Sequence, residues 1–246
     1  KESRVAFLVP HGFEYVKIQW GIWRSGGIAV PLCTLHPLPS LVYVLENTRA
    51  DILILSPEFE SLLSEYAKST GIRLIRTKEI ESGPARDFPE IDPVRRAMIL
   101  YTSGTTNLPK GVETTHANIQ AQITTLVDAW EWSPEDHILC ILPLHHVHGI
   151  INVVSCALWS GAKVEFLPKF DEEAVYQLFL KGDLNLFMAV PTIYYKLISY
   201  WEGLDKEQQN AISERLKDFR LMVSGSAALP ISVLEKWRTI SGQTLL

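Results

Sequence analysis

Short apolar runs separated by longer stretches of helical period recur from one end of this chain to the other. A run that is apolar throughout, rather than alternating, suits a strand buried on both faces, and parallel sheets covered by crossover helices bury their strands that way. The pattern predicts strands over residues 5–9, 29–32, 52–55, 73–75, 98–101, 138–142, 164–167, 186–189 and 221–223, with helices between them. The expected fold is α/β, layered sheets with flanking helices. Asp171 is predicted to cap a helix whose first turn carries Glu172 and Glu173 and which ends at Lys181 and Gly182. Pro191 and Pro230 each suit the first turn of a helix.

A chain of 246 residues can hold one large or two small domains, and 47% hydrophobic with 21% charged residues is ordinary globular usage. The net charge of -5 supplies no electrostatic footprint for nucleic acid, so small molecules are the expected partners. Cys33, Cys140 and Cys156 form no C-x-x-C pair, which points to buried thiols in a reducing, intracellular compartment. The sequence opens at Lys1 without Met and without the n- and h-regions of a signal peptide, and reads as the middle of a longer protein. Residues 138–162 carry no charge and are long enough on paper to cross a bilayer, but Pro143, His145, His146, His148 and Asn152 interrupt them. They are expected to form a buried strand followed by a helix, not a membrane span. Prolines, glycine and charges without periodicity mark residues 79–94 as a linker, between an N-terminal α/β lobe over 1–78 and a second lobe over 95–246.

Chemistry concentrates in residues 101–112, Y-T-S-G-T-T-N-L-P-K-G-V, directly after an apolar run and before a helix expected near Thr115. Thr102, Ser103, Thr105 and Thr106 surround Gly104, where a missing side chain lets backbone approach an anion. Lys110 adds a point positive charge. Many donors and one compact cation suit a triphosphate, although a merely polar strand-to-helix loop has the same composition. The order Pro109, Lys110, Gly111 excludes a Walker A loop, which requires glycine immediately before the lysine.

The loop resembles the T-S-G-T-T-G-x-P-K-G signature of the adenylate-forming enzymes, which include acyl-CoA synthetases, luciferases and peptide-synthetase adenylation domains. Asn107 stands where glycine is usual, and asparagine tolerates left-handed backbone. Two further segments follow in the family's order. I-L-P-L-H-H-V-H-G over 141–149 resembles the strand-to-helix segment lining the acyl pocket, and L-M-V-S-G-S-A-A-L-P over 221–230 resembles the strand and turn that receive adenine. Within the family the chain is most similar to malonyl-CoA synthetases. The resemblance implies a two-step reaction using ATP, Mg2+ and coenzyme A: a carboxylate attacks the α-phosphorus, pyrophosphate leaves, and the acyl adenylate is captured by the thiol of coenzyme A.

By the same resemblance Lys110 and His146 are the catalytic candidates, and Thr102, Ser103, Gly104, Thr105, Thr106, Lys110, Ser224, Gly225, Ser226 and Ala227 are the ATP-binding ones. His148 falls where an acyl contact is expected, and Val190, Pro191 and Thr192 frame the pocket from a strand end. Malonate's second carboxylate needs a buried cation or several donors, for which His148 and Arg220 are the candidates; a solvated Arg220 capping the preceding helix is the alternative. Zinc ligation by His145, His146 and His148 is disfavoured, because neighbours in an extended segment point to opposite faces and no cysteine or carboxylate is near in sequence. No metal site is therefore expected. Trp130, Trp132 and Trp159 suit packing rather than stacking on a ligand.

The family continues into a Y-G-x-T-E motif with a magnesium-binding glutamate, a ribose-binding aspartate, a hinge, and a C-terminal lid with a catalytic lysine; none of these follows in this sequence. The expectation is an incomplete N-terminal domain that carries the triphosphate loop and much of the acyl and adenine pockets, leaves sheet edges and apolar surface uncovered, and does not complete the reaction alone. A non-catalytic nucleotide- or partner-binding module, or a synthetase for another acid, are the other readings. Localisation by resemblance is mitochondrial, with the cytosol as alternative; oligomeric state is not legible.

Overall fold

Strand β1 (Arg4–Leu8) occupies an interior position in its sheet, flanked in parallel by β2 (Ile28–Pro31) and β3 (Ile52–Leu55). Ala6, Leu8, Val30, Leu53 and Leu55 are fully or nearly fully buried, which is why these strands read as continuous apolar runs. The computed structural model describes residues 2–80, 87–102, 108–167 and 169–246. These form two compact units, Lys1–Ala121 with Pro143–Val147, and Gln122–Leu142 with His148–Leu246.

In the first unit, α1 (Phe13–Arg24) follows β1, and α2 (Leu38–Thr48) joins β2 to β3. A short 3-10 turn (Pro57–Phe59) and α3 (Glu60–Thr70) lead to β4 (Arg73–Arg76). Then come β5 (Arg96–Thr102) and β6 (Lys110–Thr115), giving a six-stranded sheet of order β4-β3-β1-β2-β5-β6. All pairs are parallel except β5 with β6. Leu41 and Leu45 of α2 and Leu63 of α3 pack onto Leu53 and Ile99 from the sheet.

That topology corrects the predicted boundary at residue 95. Strand β5 pairs with β2, and the Trp23 indole of α1 donates to the Ala97 carbonyl at 2.8 Å, so the chain returns to complete the first sheet instead of opening a second lobe. A break in periodicity marks a connection within a sheet as readily as one between domains. Residues 81–86 of the predicted linker lie outside the described residues. Strand β6 was not expected: K-G-V-E-T-T is polar because it pairs on one side only, at the sheet's margin, and stays largely exposed.

Helix α4 (His116–Ala129) follows β6 without a break. In the second unit, β7 (His137–Cys140) and a helix form as expected over 138–162, but the helix begins as a π-helix (His148–Ser155) before continuing into α5 (Cys156–Trp159); the predicted strand β8 (Lys163–Phe166) follows. The π-helical spacing is visible in the Ser155 hydroxyl, which donates to the Ile150 carbonyl at 2.7 Å. Next come α6 (Glu172–Leu180), β9 (Leu186–Ala189), α7 (Pro191–Glu202), α8 (Lys206–Leu216), β10 (Leu221–Ser224) and α9 (Ile231–Ser241). The sheet is parallel throughout, in the order β10-β9-β7-β8.

The core of this unit is aromatic. Phe179 meets Phe187 and Phe219 edge-on with centroids 5.0 and 4.9 Å apart, and Tyr194 meets Trp237 at 4.9 Å. Asp171 caps α6 as predicted, accepting from the Ala174 amide at 2.8 Å, and Pro191 opens α7; Pro230 sits one position earlier than expected, at the N-cap of α9. All three cysteines are free and buried, and burial pushes the Cys140 and Cys156 thiols up to about 12. Among the described residues no helix is long and apolar enough to cross a membrane.

Candidate functional site

Each unit carries its own cluster of chemistry-bearing residues. In the first unit the antiparallel pairing of β5 with β6 sets Thr102 opposite Lys110. Both residues are exposed, so the lysine can reach an anion in solvent. Ser103, Gly104, Thr105, Thr106 and Asn107 lie outside the described residues. Beside the two ends of this hairpin is a cavity of about 520 Å³ whose lining includes Tyr101, Thr102, Pro109, His36, His145 and His146.

Residues 143–146 turn, the His146 amide donating to the Pro143 carbonyl at 3.4 Å. The turn brings the His145 and His146 rings together at 4.1 Å between centroids, where an extended segment would have sent them to opposite faces. His36 approaches His145 at 5.9 Å, and His11 Nε2 accepts from the Leu144 amide at 3.3 Å. Burial, with His146, His36 and His11 adding, pushes His145 down to about 3, and burial followed by His36 lowers His146. Crowded imidazoles cannot all be charged, so His145 is neutral at physiological pH. Among the described residues no group of three or more histidine, cysteine, aspartate or glutamate side chains is placed to hold a metal ion.

In the second unit the relevant residues sit at the carboxyl ends of the parallel strands, where open α/β sheets bind ligands. Val190 follows β9 and is the N-cap of α7; Ser224 ends β10, and the Gly225 amide donates to the Ala189 carbonyl at 3.1 Å, tying the two strand ends together. Ser226 adopts left-handed backbone with φ 67°, and its Oγ is 3.0 Å from His148 Nδ1. The His148 ring lies against Gly225 so closely that a Cβ there would stand 2.8 Å from Cε1, which only glycine avoids. His148 is 8% exposed, burial lowers its imidazole below the ordinary range, and its Nε2 has no hydrogen-bond partner among the described residues. The Ser224 hydroxyl is likewise buried without a partner there. A neutral imidazole anchored at Nδ1 and buried without a partner at Nε2 has one hydrogen bond left to make. Ala227 completes the exposed turn.

Arg220 is placed differently from expectation. It precedes β10, at the amino end of the strand, and its guanidinium grips Asp136 bidentately at 2.8 and 2.6 Å while donating to the Trp130 carbonyl at 2.8 Å. Asp136 is 1% exposed and also accepts from the Ser133 amide and the Asn185 side chain. Burial alone would raise this carboxyl, but the hydrogen bonds from Arg220 and Ser133 outweigh it and hold the group below its usual range. Arg220 thus joins the amino ends of the sheet and has its fork occupied by the protein itself, which corrects its reading as a substrate ligand. Of the three tryptophans, Trp132 is buried, Trp130 half-buried and Trp159 exposed.

Sequence reasoning missed His11, His36, Tyr43, Asn47 and Tyr101. The only local signal was the aromatic Tyr101 at the head of the hydroxyl-rich segment; the others reach that region from β1–α1 and β2–α2, far away in sequence.

Parallel α/β units carrying a hydroxyl- and lysine-bearing hairpin and a small-residue turn at strand ends define the N-terminal domain of an adenylate-forming enzyme. The family model described as AMP-binding enzyme matches residues 1–246, and the chain belongs to that family. It is 44% identical over 262 residues to the mitochondrial malonate–CoA ligase ACSF3 of Xenopus laevis, covering 99% of this chain and 45% of the relative, and 44% identical to the human protein of the same name, with 100% and 45% covered. Among solved structures it is similar to ATP-bound MatB from Rhodopseudomonas palustris, with TM-score 0.87, 26% identity, and 99% of this chain and 48% of that one covered. A malonyl-CoA ligase product complex with methylmalonyl-CoA and AMP gives TM-score 0.84 at 27% identity, covering 98% and 50%. The chain spans about half the length of the curated relatives it matches.

Proposed function

We propose that this chain supplies the nucleotide- and acid-binding part of an ATP-dependent malonate–CoA ligase. The observation that carries the reading is 44% identity to malonate–CoA ligases across the whole chain, both residue clusters included. In the first step one malonate carboxylate oxygen attacks the α-phosphorus of ATP, the bond to the bridging oxygen breaks, and pyrophosphate leaves with that electron pair. In the second step the thiol of coenzyme A gives up its proton and attacks the acyl carbon, the bond from that carbon to the phosphate oxygen breaks, AMP leaves with the electron pair, and malonyl-CoA forms.

Within that scheme Lys110, with the hydroxyls of residues 102, 103, 105 and 106, offsets charge on the phosphates. Gly225 and its neighbours 224, 226 and 227 present backbone and small side chains to the flat base. His148, through its unpaired Nε2, takes the acid, with Val190 framing the same strand ends; His146 serves the reacting carboxylate. ATP enters as its Mg2+ complex, and the protein works in mitochondria as the ACSF3 relatives do by name.

Malonate-dependent release of pyrophosphate by the protein carrying this chain tests the assignment. Release with malonate well above that with acetate, butyrate or a long-chain fatty acid is the expected result. Active turnover without malonate stimulation rejects malonate as the acid.

A further inference from the structure

Lys110 has no side-chain hydrogen bond or ion pair among those described, yet the residues around it are held from three directions, two of them through helix α2. The Tyr43 hydroxyl on α2 donates to the carbonyl of Pro109, the residue before the lysine, at 3.0 Å. One turn further along the same helix, Asn47 Oδ1 accepts from the Tyr101 hydroxyl at 2.5 Å, and Tyr101 belongs to the strand paired with the lysine's own. Positions 43 and 47 share a helix face, so one face of α2 holds both legs of the hairpin. The two tyrosine rings meet edge-on at 6.2 Å. The third direction comes from Gly111, the residue after the lysine. A Cβ at 111 would stand 3.0 Å from Ile99 Cγ2 and 3.2 Å from Tyr101 Cζ, so the glycine leaves the slot across which the Tyr101 ring lies.

We infer that Tyr43 and Asn47 are positioning residues for Lys110: through Pro109, Tyr101 and the Gly111 slot they set where the lysine leaves the sheet and therefore where its ammonium meets phosphate. The inference rests on the proposed ATP-binding role of Lys110 and adds to it a mechanical cause for the glycine after the lysine, which makes room for an aromatic ring. Burial, with Tyr43 adding, pushes the Tyr101 phenol up to about 12, so its hydroxyl keeps the proton it donates to Asn47.

Titration of the chain with ATP, followed calorimetrically, tests this with Lys110→Ala, Tyr43→Phe, the Tyr43→Phe/Asn47→Leu double variant and Asn47→Asp, near-ultraviolet circular dichroism confirming the fold of each. Lys110→Ala is expected to weaken ATP binding about tenfold or more. The double variant should weaken it about three- to tenfold, the range set by losing hydrogen bonds that orient a charged group. Asn47→Asp keeps the acceptor and should bind ATP within about twofold of wild type. A purely structural role would lower the melting temperature of the double variant and leave its ATP affinity unchanged. Weak binding by Lys110→Ala together with wild-type binding by the double variant overturns the positioning role alone. Absence of binding by wild type, or equal binding by wild type and Lys110→Ala, overturns the phosphate reading and this inference with it.

Discussion

Asp136 and Arg220 stand 84 positions apart in sequence, and their ion pair shows how a single residue's role depends on what the fold brings to it. From sequence, an arginine immediately before a strand has free valence; in the structure its fork is filled. Removing it by Arg220→Ala leaves a carboxylate 1% exposed with only neutral donors. Because Arg220 itself is 34% exposed, the expected cost is about 2–3 kcal/mol, below that of a fully buried pair. The folded-state carboxyl lies below its ordinary value, so its contribution is present above about pH 4 and is lost as pH falls through the folded value. Urea midpoints should differ most between wild type and variant near pH 7 and converge below about pH 4. A difference that does not change with pH would contradict a stabilising ion pair. Lys110 and Thr102 were legible as candidates because their chemistry is contiguous, whereas His36, Tyr43 and Asn47 approach the same region across sequence separations that no local pattern records. His148 was legible as a candidate by resemblance, but the glycine that admits its ring and the serine that anchors it became visible only when the turn after β10 met the π-helix.

Most elements could be read from periodicity, and the exceptions share a physical cause. Strands β1, β3, β9 and β10 are apolar because both faces are covered, so sequence marks them clearly. Strand β6 lies at the margin of its sheet, stays polar, and is indistinguishable from a loop by composition. The π-helix over 148–155 has an apolar composition that any buried helix shares, and its wider spacing leaves no sequence mark. Helix α6 is the opposite case, since cap, acidic first turn and stop signal were all present in the chain. Asp171→Ala should destabilise the second unit by about 1 kcal/mol, with Asp171→Ser closer to neutral because a hydroxyl can accept the same amide. Chemical denaturation of the two variants checks this, and equal losses would show that the cap hydrogen bond is not what matters.

On the scale of the whole molecule, the alternation of apolar runs and helices foretold the α/β class, but the partition into units was misplaced. Composition locates a break in regular structure; which sheet the chain rejoins afterwards depends on long-range pairing such as Ala29 with Met98. The result is one six-stranded sheet finished by β5 and β6 and a separate four-stranded sheet, each with its own cluster of chemistry-bearing residues. The chain belongs to the AMP-binding family and is similar to malonate-activating ligases, and the function proposed for it on that ground is the formation of an acyl adenylate. Exchange of labelled pyrophosphate into ATP isolates that half-reaction from thioester formation. The protein carrying this chain should show exchange that requires malonate and falls about a hundredfold in Lys110→Ala, the scale of losing one charge-stabilising group at a transferring phosphate. Exchange that proceeds equally without malonate, or is untouched by Lys110→Ala, would contradict the account.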